Sequence, residues 1–163
     1  MLKQLLISDA NILIDIKVAG LINEMFQLQY EYAVPGLLFE QELKQNHTDL
    51  ITKGLKLLDL ETSSIGQLEE LGNQYKGISR FDLMALILAK REQVPLLTGD
   101  RKLRQVCLIE EIEVRGTLWL MEQMFTEKFI SVRQAEVAYQ RMQDDGSRLP
   151  WDEVEKQLRK FRQ

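Results

Sequence analysis

The stretch Leu5-Leu6-Ile7-Ser8-Asp9-Ala10-Asn11-Ile12-Leu13-Ile14-Asp15 decides the fold. Three consecutive apolar residues ending at a small polar pair read as a short buried strand. The run from Ile12 to Ile16, closed by Gly20, reads as the helix that receives it. The alternation continues outward from there. Leu21 to Leu28 suits a second helix, Tyr30 to Val34 has strand composition, and after the punctuation of Pro35-Gly36 the segment Leu37 to Gln45 is helical by residue choice. Leu55 to Leu60 is a strand candidate, Ile65 to Tyr75 a polar-faced helix and Ser79 to Glu92 a strongly apolar one. Pro95 to Thr98 and Ile112 to Arg115 read as brief strands, followed by helices over Arg101 to Ile109 and Thr117 to Glu127 respectively. Short apolar strands alternating with helices predict an α/β protein with a parallel sheet covered on both faces.

Composition narrows the chemistry. The 163 residues are 45% hydrophobic and 28% charged, which excludes a disordered chain and gives enough core for one domain of ordinary size. A net charge of −4 means the chain as a whole does not attract nucleic acid, so a polyanionic substrate needs a metal or a local basic patch. The single cysteine, Cys107, rules out an internal disulfide and a cysteine-rich zinc cage, and the single histidine, His47, rules out ligation by paired histidines. The longest wholly apolar run, Leu83 to Ala89, falls short of the roughly 20 residues of a membrane span. With no signal-peptide pattern at the N-terminus, a reducing, cytoplasmic setting is expected.

The chain divides by pattern into residues 1–127, where strands and helices alternate, and a helical C-terminal extension, 128–163, with helices over Ser131 to Gln143 and Trp151 to Arg162. In the last helix Trp151, Val154, Leu158 and Phe161 form one apolar stripe. From Ser147 to Gln163 five basic and three acidic residues give +2 against the chain's −4. Two uses fit such a helix: packing on its own domain, or contact with a partner, a second copy or RNA.

Ligands of open parallel sheets gather at the carboxyl ends of strands, where successive connections diverge. Asp9 follows the first strand and Asp100 follows Leu96-Leu97-Thr98, so both project from one sheet edge. At about 4 Å and an effective dielectric near 20, two such charges repel by about 4 kcal/mol, which a divalent cation would offset. Each also suits a plainer role, Asp9 as a helix N-cap and Asp100 as a turn residue. Asp82 lies at helical spacing from Ala85, Leu86 and Ala89, beside small and apolar side chains, while Ser79-x-x-Asp82 also has the form of a capping box. On a helical period Glu40 and Glu42 point about 200° apart. Glu40 shares its side with Lys44, and Glu42 lies closer to the inward face. Asp15 sits further down the first helix and reads as structural.

Taken together these segments resemble the PIN-domain nucleases over Leu5 to Glu127. Ser8-Asp9-Ala10-Asn11-Ile12-Leu13-Ile14-Asp15 is similar to the family's opening motif, and Pro35 through Leu43 to its second block, whose Glu-Leu pair falls on Glu42-Leu43. Ser79-Arg80-Phe81-Asp82-Leu83 through Ala89 and Leu96-Leu97-Thr98-Gly99-Asp100-Arg101 are similar to the third and fourth. The resemblance implies a Rossmann-like three-layer α/β/α sandwich. It also implies Mg²⁺- or Mn²⁺-dependent hydrolysis of RNA phosphodiesters, with Asp9, Glu42, Asp82 and Asp100 as catalytic and metal-binding acids. Asn11 and Thr98 would support those carboxylates, and Arg101, Lys102 and Arg104 would contact phosphate. Lys102 departs from the pattern, standing where many relatives carry a further acid.

Other readings fare worse. An Asp-x-Asp phosphatase lacks its second acid, since Asn11 takes that place, and no phosphate-binding glycine loop occurs. A nucleophilic serine or cysteine finds no base, because His47 lies in a polar stretch and Cys107 reads as a buried small hydrophobe. Within the family the expectation is an endoribonuclease, with the toxin of a toxin–antitoxin pair as one form. A cognate antitoxin or a second copy of the chain are then the expected partners. The alternative is a catalytically weak or silent fold serving as a protein- or nucleic-acid-binding module.

Overall fold

The structure, a computed structural model, describes residues 2–163. Five strands form one all-parallel sheet in the order β3-β2-β1-β4-β5: β1 Gln4–Ser8, β2 Tyr30–Pro35, β3 Lys56–Leu58, β4 Leu96–Leu97 and β5 Val114–Arg115. Ile7 pairs with Ala33 on one side and with Leu96 on the other, which puts β1 at the centre. Because side chains alternate across a strand, each strand feeds both faces. Leu6, Tyr32, Val34 and Leu97 enter one core, and Ile7, Ala33 and Leu96 the other.

Among the described residues ten α-helices surround the sheet: α1 Ala10–Val18, α2 Ile22–Gln27, α3 Gly36–Leu38, α4 Asp49–Lys53, α5 Ile65–Gln74, α6 Arg80–Glu92, α7 Arg101–Ile109, α8 Thr117–Thr126, α9 Val132–Asp144 and α10 Trp151–Phe161. The first core is closed by α1, α2, α8, α9 and α10, and the second by α5, α6 and α7, giving the expected three-layer sandwich. The apolar run of α6 explains its central place, since every residue from Leu83 to Ala89 is buried.

Three differences from the sequence expectation have local causes. The helix after Pro35 begins at Gly36 and, instead of continuing as one α-helix to Gln45, widens into a π-turn over Phe39–Leu43, where Lys44 N–H bonds Phe39 O at 2.8 Å. The polar stretch before β3 holds the short helix α4, stopped by Gly54 at φ +117. The third strand spans three residues rather than Leu55 to Leu60, being an edge strand with Leu57 partly exposed.

The apolar stripe of α10 packs inward: Val154, Leu158 and Phe161 are buried, and Phe161 stacks on Phe125 at 3.9 Å between ring centroids. A polar tie reinforces it, because Ser147 Oγ donates to Asp15 Oδ1 at 2.8 Å. Asp15 is half-buried, its pKa raised by that burial and held back by the Ser147 hydrogen bond. Ser147→Ala is therefore expected to cost about 1–2 kcal/mol in urea unfolding, more at pH 8 than at pH 4, because the lost donor serves the ionised carboxylate. Equal losses at both pH values would contradict this coupling.

Candidate active site

Capping places the acids. Asp9 is the N-cap of α1, its Oδ1 accepting from Ile12 N–H at 3.0 Å, and Asp100 is the N-cap of α7, its Oδ1 accepting from Leu103 N–H at 2.9 Å. Asp82 sits in the first turn of α6, where its N–H donates to the N-cap Ser79 Oγ at 3.1 Å. The strand ends are tied directly, Asp9 N–H donating to Leu97 O at 3.0 Å. For Asp9 and Asp100 the cap follows a sheet strand, so capping itself places both carboxylates at the carboxyl edge of the sheet.

Thr98 joins two of these acids. Its hydroxyl, fully buried, donates to Asp9 Oδ2 at 2.5 Å and accepts from Asp100 N–H at 3.1 Å. Asp9 is 2% exposed and forms the floor, Asp82 is partly buried, and Asp100 and Glu42 stand exposed at the rim. The π-turn carries Glu42, so the angle expected from an α-helical period does not apply. Glu40 instead pairs with Lys44 at 3.0 Å on the outer surface.

Electrostatics links the four. Burial pushes the Asp9 pKa up to about 7 against the pull of the Thr98 and Ile12 hydrogen bonds, and the charges of Asp82 and Asp100 add to the rise. Burial likewise raises Asp82, opposed by Ser79 and assisted by Asp100, while Glu42 is raised by burial and then by Asp82. Among the described residues none of the four forms an ion pair with lysine or arginine. Nor do they close into a ligand cage, since no group of three or more His, Cys, Asp or Glu among the described residues stands ready to hold an ion. A donor set made only of carboxylate oxygens fits Mg²⁺ or Mn²⁺ by chemistry, and such ions keep several waters and need no closed cage.

The remaining expected residues fall differently. Asn11 lies exposed on the first turn of α1 and makes no hydrogen bond to these acids among the described residues, so the structure supplies no contact for a supporting role. Arg101, Lys102 and Arg104 are exposed along α7 beside Asp100. Asp15 belongs to the tail contact. His47 stands outside the site beside Lys17 and Asp49. Cys107 is fully buried with its thiol pushed up to about 12, which removes it as a nucleophile.

Two residues escaped the sequence reading. Thr117 opens α8 immediately after β5, buried, with its hydroxyl unpartnered, and Gly116 lies against Thr98 O. The strand-end rule that selected Asp9 also points to this turn. Arg80 precedes Asp82 by two in the first turn of α6, where a cation is unfavourable, and that misfit was a usable signal.

A family model described as DUF3368, PIN domain, matches residues 5–163. The comparison with curated proteins gives no match. No helix among the described residues is long and apolar enough to cross a membrane.

Proposed function

Since the chain belongs to the PIN-domain family, whose members are generally nucleases, we propose that it is a Mg²⁺- or Mn²⁺-dependent endoribonuclease whose site is Asp9, Glu42, Asp82 and Asp100. The observation that carries this reading is a set of carboxylates whose charges act on one another through Asp82, free of ion pairs with lysine or arginine among the described residues, at the edge where the connections of β1 and β4 diverge. Asp9, the one deeply buried member, lacks a cationic partner among the described residues, which a purely structural acid at that depth would normally have, because an unpaired buried charge is costly.

Asp9, Asp82 and Asp100 would hold the ion, with Glu42 sharing it or holding a second. When bound, the ion supplies a water of lowered pKa and offsets charge on the scissile phosphate. Thr98 fixes the Asp9 rotamer and, through the Asp100 N–H, the start of α7. Arg101, Lys102 and Arg104 bring phosphate to an edge that is otherwise acidic. We assign this apparatus to residues 1–127 and give the extension, 128–163, the task of bracing α1.

The test combines calorimetric titration of Mn²⁺ with cleavage of a labelled single-stranded RNA. Cleavage should require the divalent ion, stop in EDTA and fall by about 100-fold or more in Asp82→Asn, with Mn²⁺ affinity reduced in parallel. Cleavage that persists in EDTA, or unchanged affinity in the variant, defeats the assignment. A second reading, a binding module without catalysis, draws on the absence of a closed ligand set. RNA bound with no divalent-dependent turnover would favour it. Growth arrest on expression, relieved by Asp9→Asn, would identify a toxin and call for a cognate antitoxin.

A further inference from the structure

Between α5 and the start of α6 lies an open groove of about 340 Å³, whose lining residues Arg80 and Leu83 flank Asp82 in sequence. Leu68 and Leu83, both buried, make its apolar floor, and Gly72 leaves the middle clear, since a Cβ there would meet only Leu83 Cδ1 at 4.0 Å. Glu69 and Asn73, one turn apart on α5, edge one wall, and Arg80 stands at the other. Lys102 reaches over from α7, its amine 3.1 Å from where a Gly77 Cβ would sit, beside Ile78 of the groove. Among the described residues neither Arg80 nor Lys102 has a carboxylate partner.

We propose that this groove is a base-binding subsite that takes one unpaired nucleobase of a single-stranded RNA, with the adjoining phosphate held by Arg80 and Lys102 next to the acidic site; this rests on the nuclease reading. The volume lies at the small end of ligand pockets, which suits one ring system and excludes a duplex or a folded partner. Its apolar floor of Leu68 and Leu83 accepts the face of a base, and amide and carboxylate side chains read base edges. An ionised Glu69 only accepts hydrogen bonds, so it favours edges bearing an amino group, as in adenine, cytosine and guanine. Uracil has no amino group, and its single N3–H lies between two carbonyl oxygens that a carboxylate repels, so it is disfavoured. The two cations complement a phosphate whose approach the four acids would otherwise repel.

The experiment is fluorescence anisotropy of the full chain with single-stranded hexamers of A, C and U in EDTA, so that binding is read without cleavage. Oligo(A) and oligo(C) should bind about fivefold or more tighter than oligo(U), the ratio that one hydrogen bond of ordinary net strength carries. Gly72→Phe, which plugs the groove, should erase the preference. Glu69→Gln, a change at the exposed rim, should also erase it, because an amide both donates and accepts and so serves uracil as well. Equal affinities for the three hexamers, or a preference that survives both variants, would overturn the subsite. Self-association that Gly72→Phe abolishes would assign the groove to a second copy of the chain and overturn it too. Base preference without divalent-dependent cleavage would leave the subsite standing and sink the nuclease reading, whereas cleavage without base preference would do the reverse.

Discussion

Asp9→Asn is expected to abolish divalent-dependent cleavage while raising the melting temperature of the metal-free protein above neutral pH. In the folded chain burial pushes the Asp9 carboxyl up to about 7 from its ordinary value of 3.8, the value expected once the chain unfolds. Between those values the folded state retains a proton that the unfolded state has released, so stability falls as pH climbs from about 4 to about 7 and then levels off. The separation corresponds to a loss on the order of 4 kcal/mol. Asparagine keeps the Oδ1 acceptor for Ile12 N–H and carries no charge to bury, so the variant escapes this decline. The two proteins should melt together near pH 4 and diverge by several degrees at pH 8, given about 2–4 °C per kcal/mol for a chain of this size. Mn²⁺ at 100 times its Kd should close most of that gap, because it stabilises only the protein that binds it, by about 2.7 kcal/mol. Parallel melting curves across pH, or a variant that loses stability at pH 8, would show that Asp9 is an ordinary cap.

The local placement of these acids is what the sequence makes legible. Asp9, Asp82 and Asp100 were legible because each is fixed by local chemistry: a strand end or an N-terminal helical turn, with a capping geometry that spans three residues. Thr98 was legible for the same reason, standing two residues from Asp100 at the end of a strand adjoining β1. Glu42 was not decided by periodicity, because the π-turn departs from the α-helical period on which the expectation depended. The burial of the α10 stripe was also open, since an amphipathic helix has the same pattern whether it covers its own core or a partner's. The groove between α5 and α6 had no sequence signal, as it arises from a glycine on one helix facing a leucine on another.

Thr98→Val should separate the placement of the acids from their presence. Valine matches threonine in shape but leaves Asp9 Oδ2 without its donor and Asp100 N–H without its acceptor. An unsatisfied buried group costs about 1–3 kcal/mol, and here the loss should be larger at pH 8 than at pH 4, because the missing bond serves an ionised carboxylate. The Thr98 hydroxyl lowers the Asp9 pKa, so its removal moves that pKa further upward. The fall of metal-free stability with pH should accordingly extend beyond pH 7 in the valine variant. Loosening the carboxylate and the start of α7 should raise the Mn²⁺ needed for half-maximal cleavage by about 10–100-fold, whereas the rate at saturating Mn²⁺ should recover much of its value, since all four acids remain. Thr98→Ser, which restores the hydroxyl with one methyl fewer, should return both the Mn²⁺ requirement and the pH midpoint. A valine variant with an unaltered Mn²⁺ requirement would mean that Asp9 and Asp100 are positioned by their helix caps alone. A serine variant as impaired as valine would mean that the methyl group, and so packing, is what the site needs from residue 98.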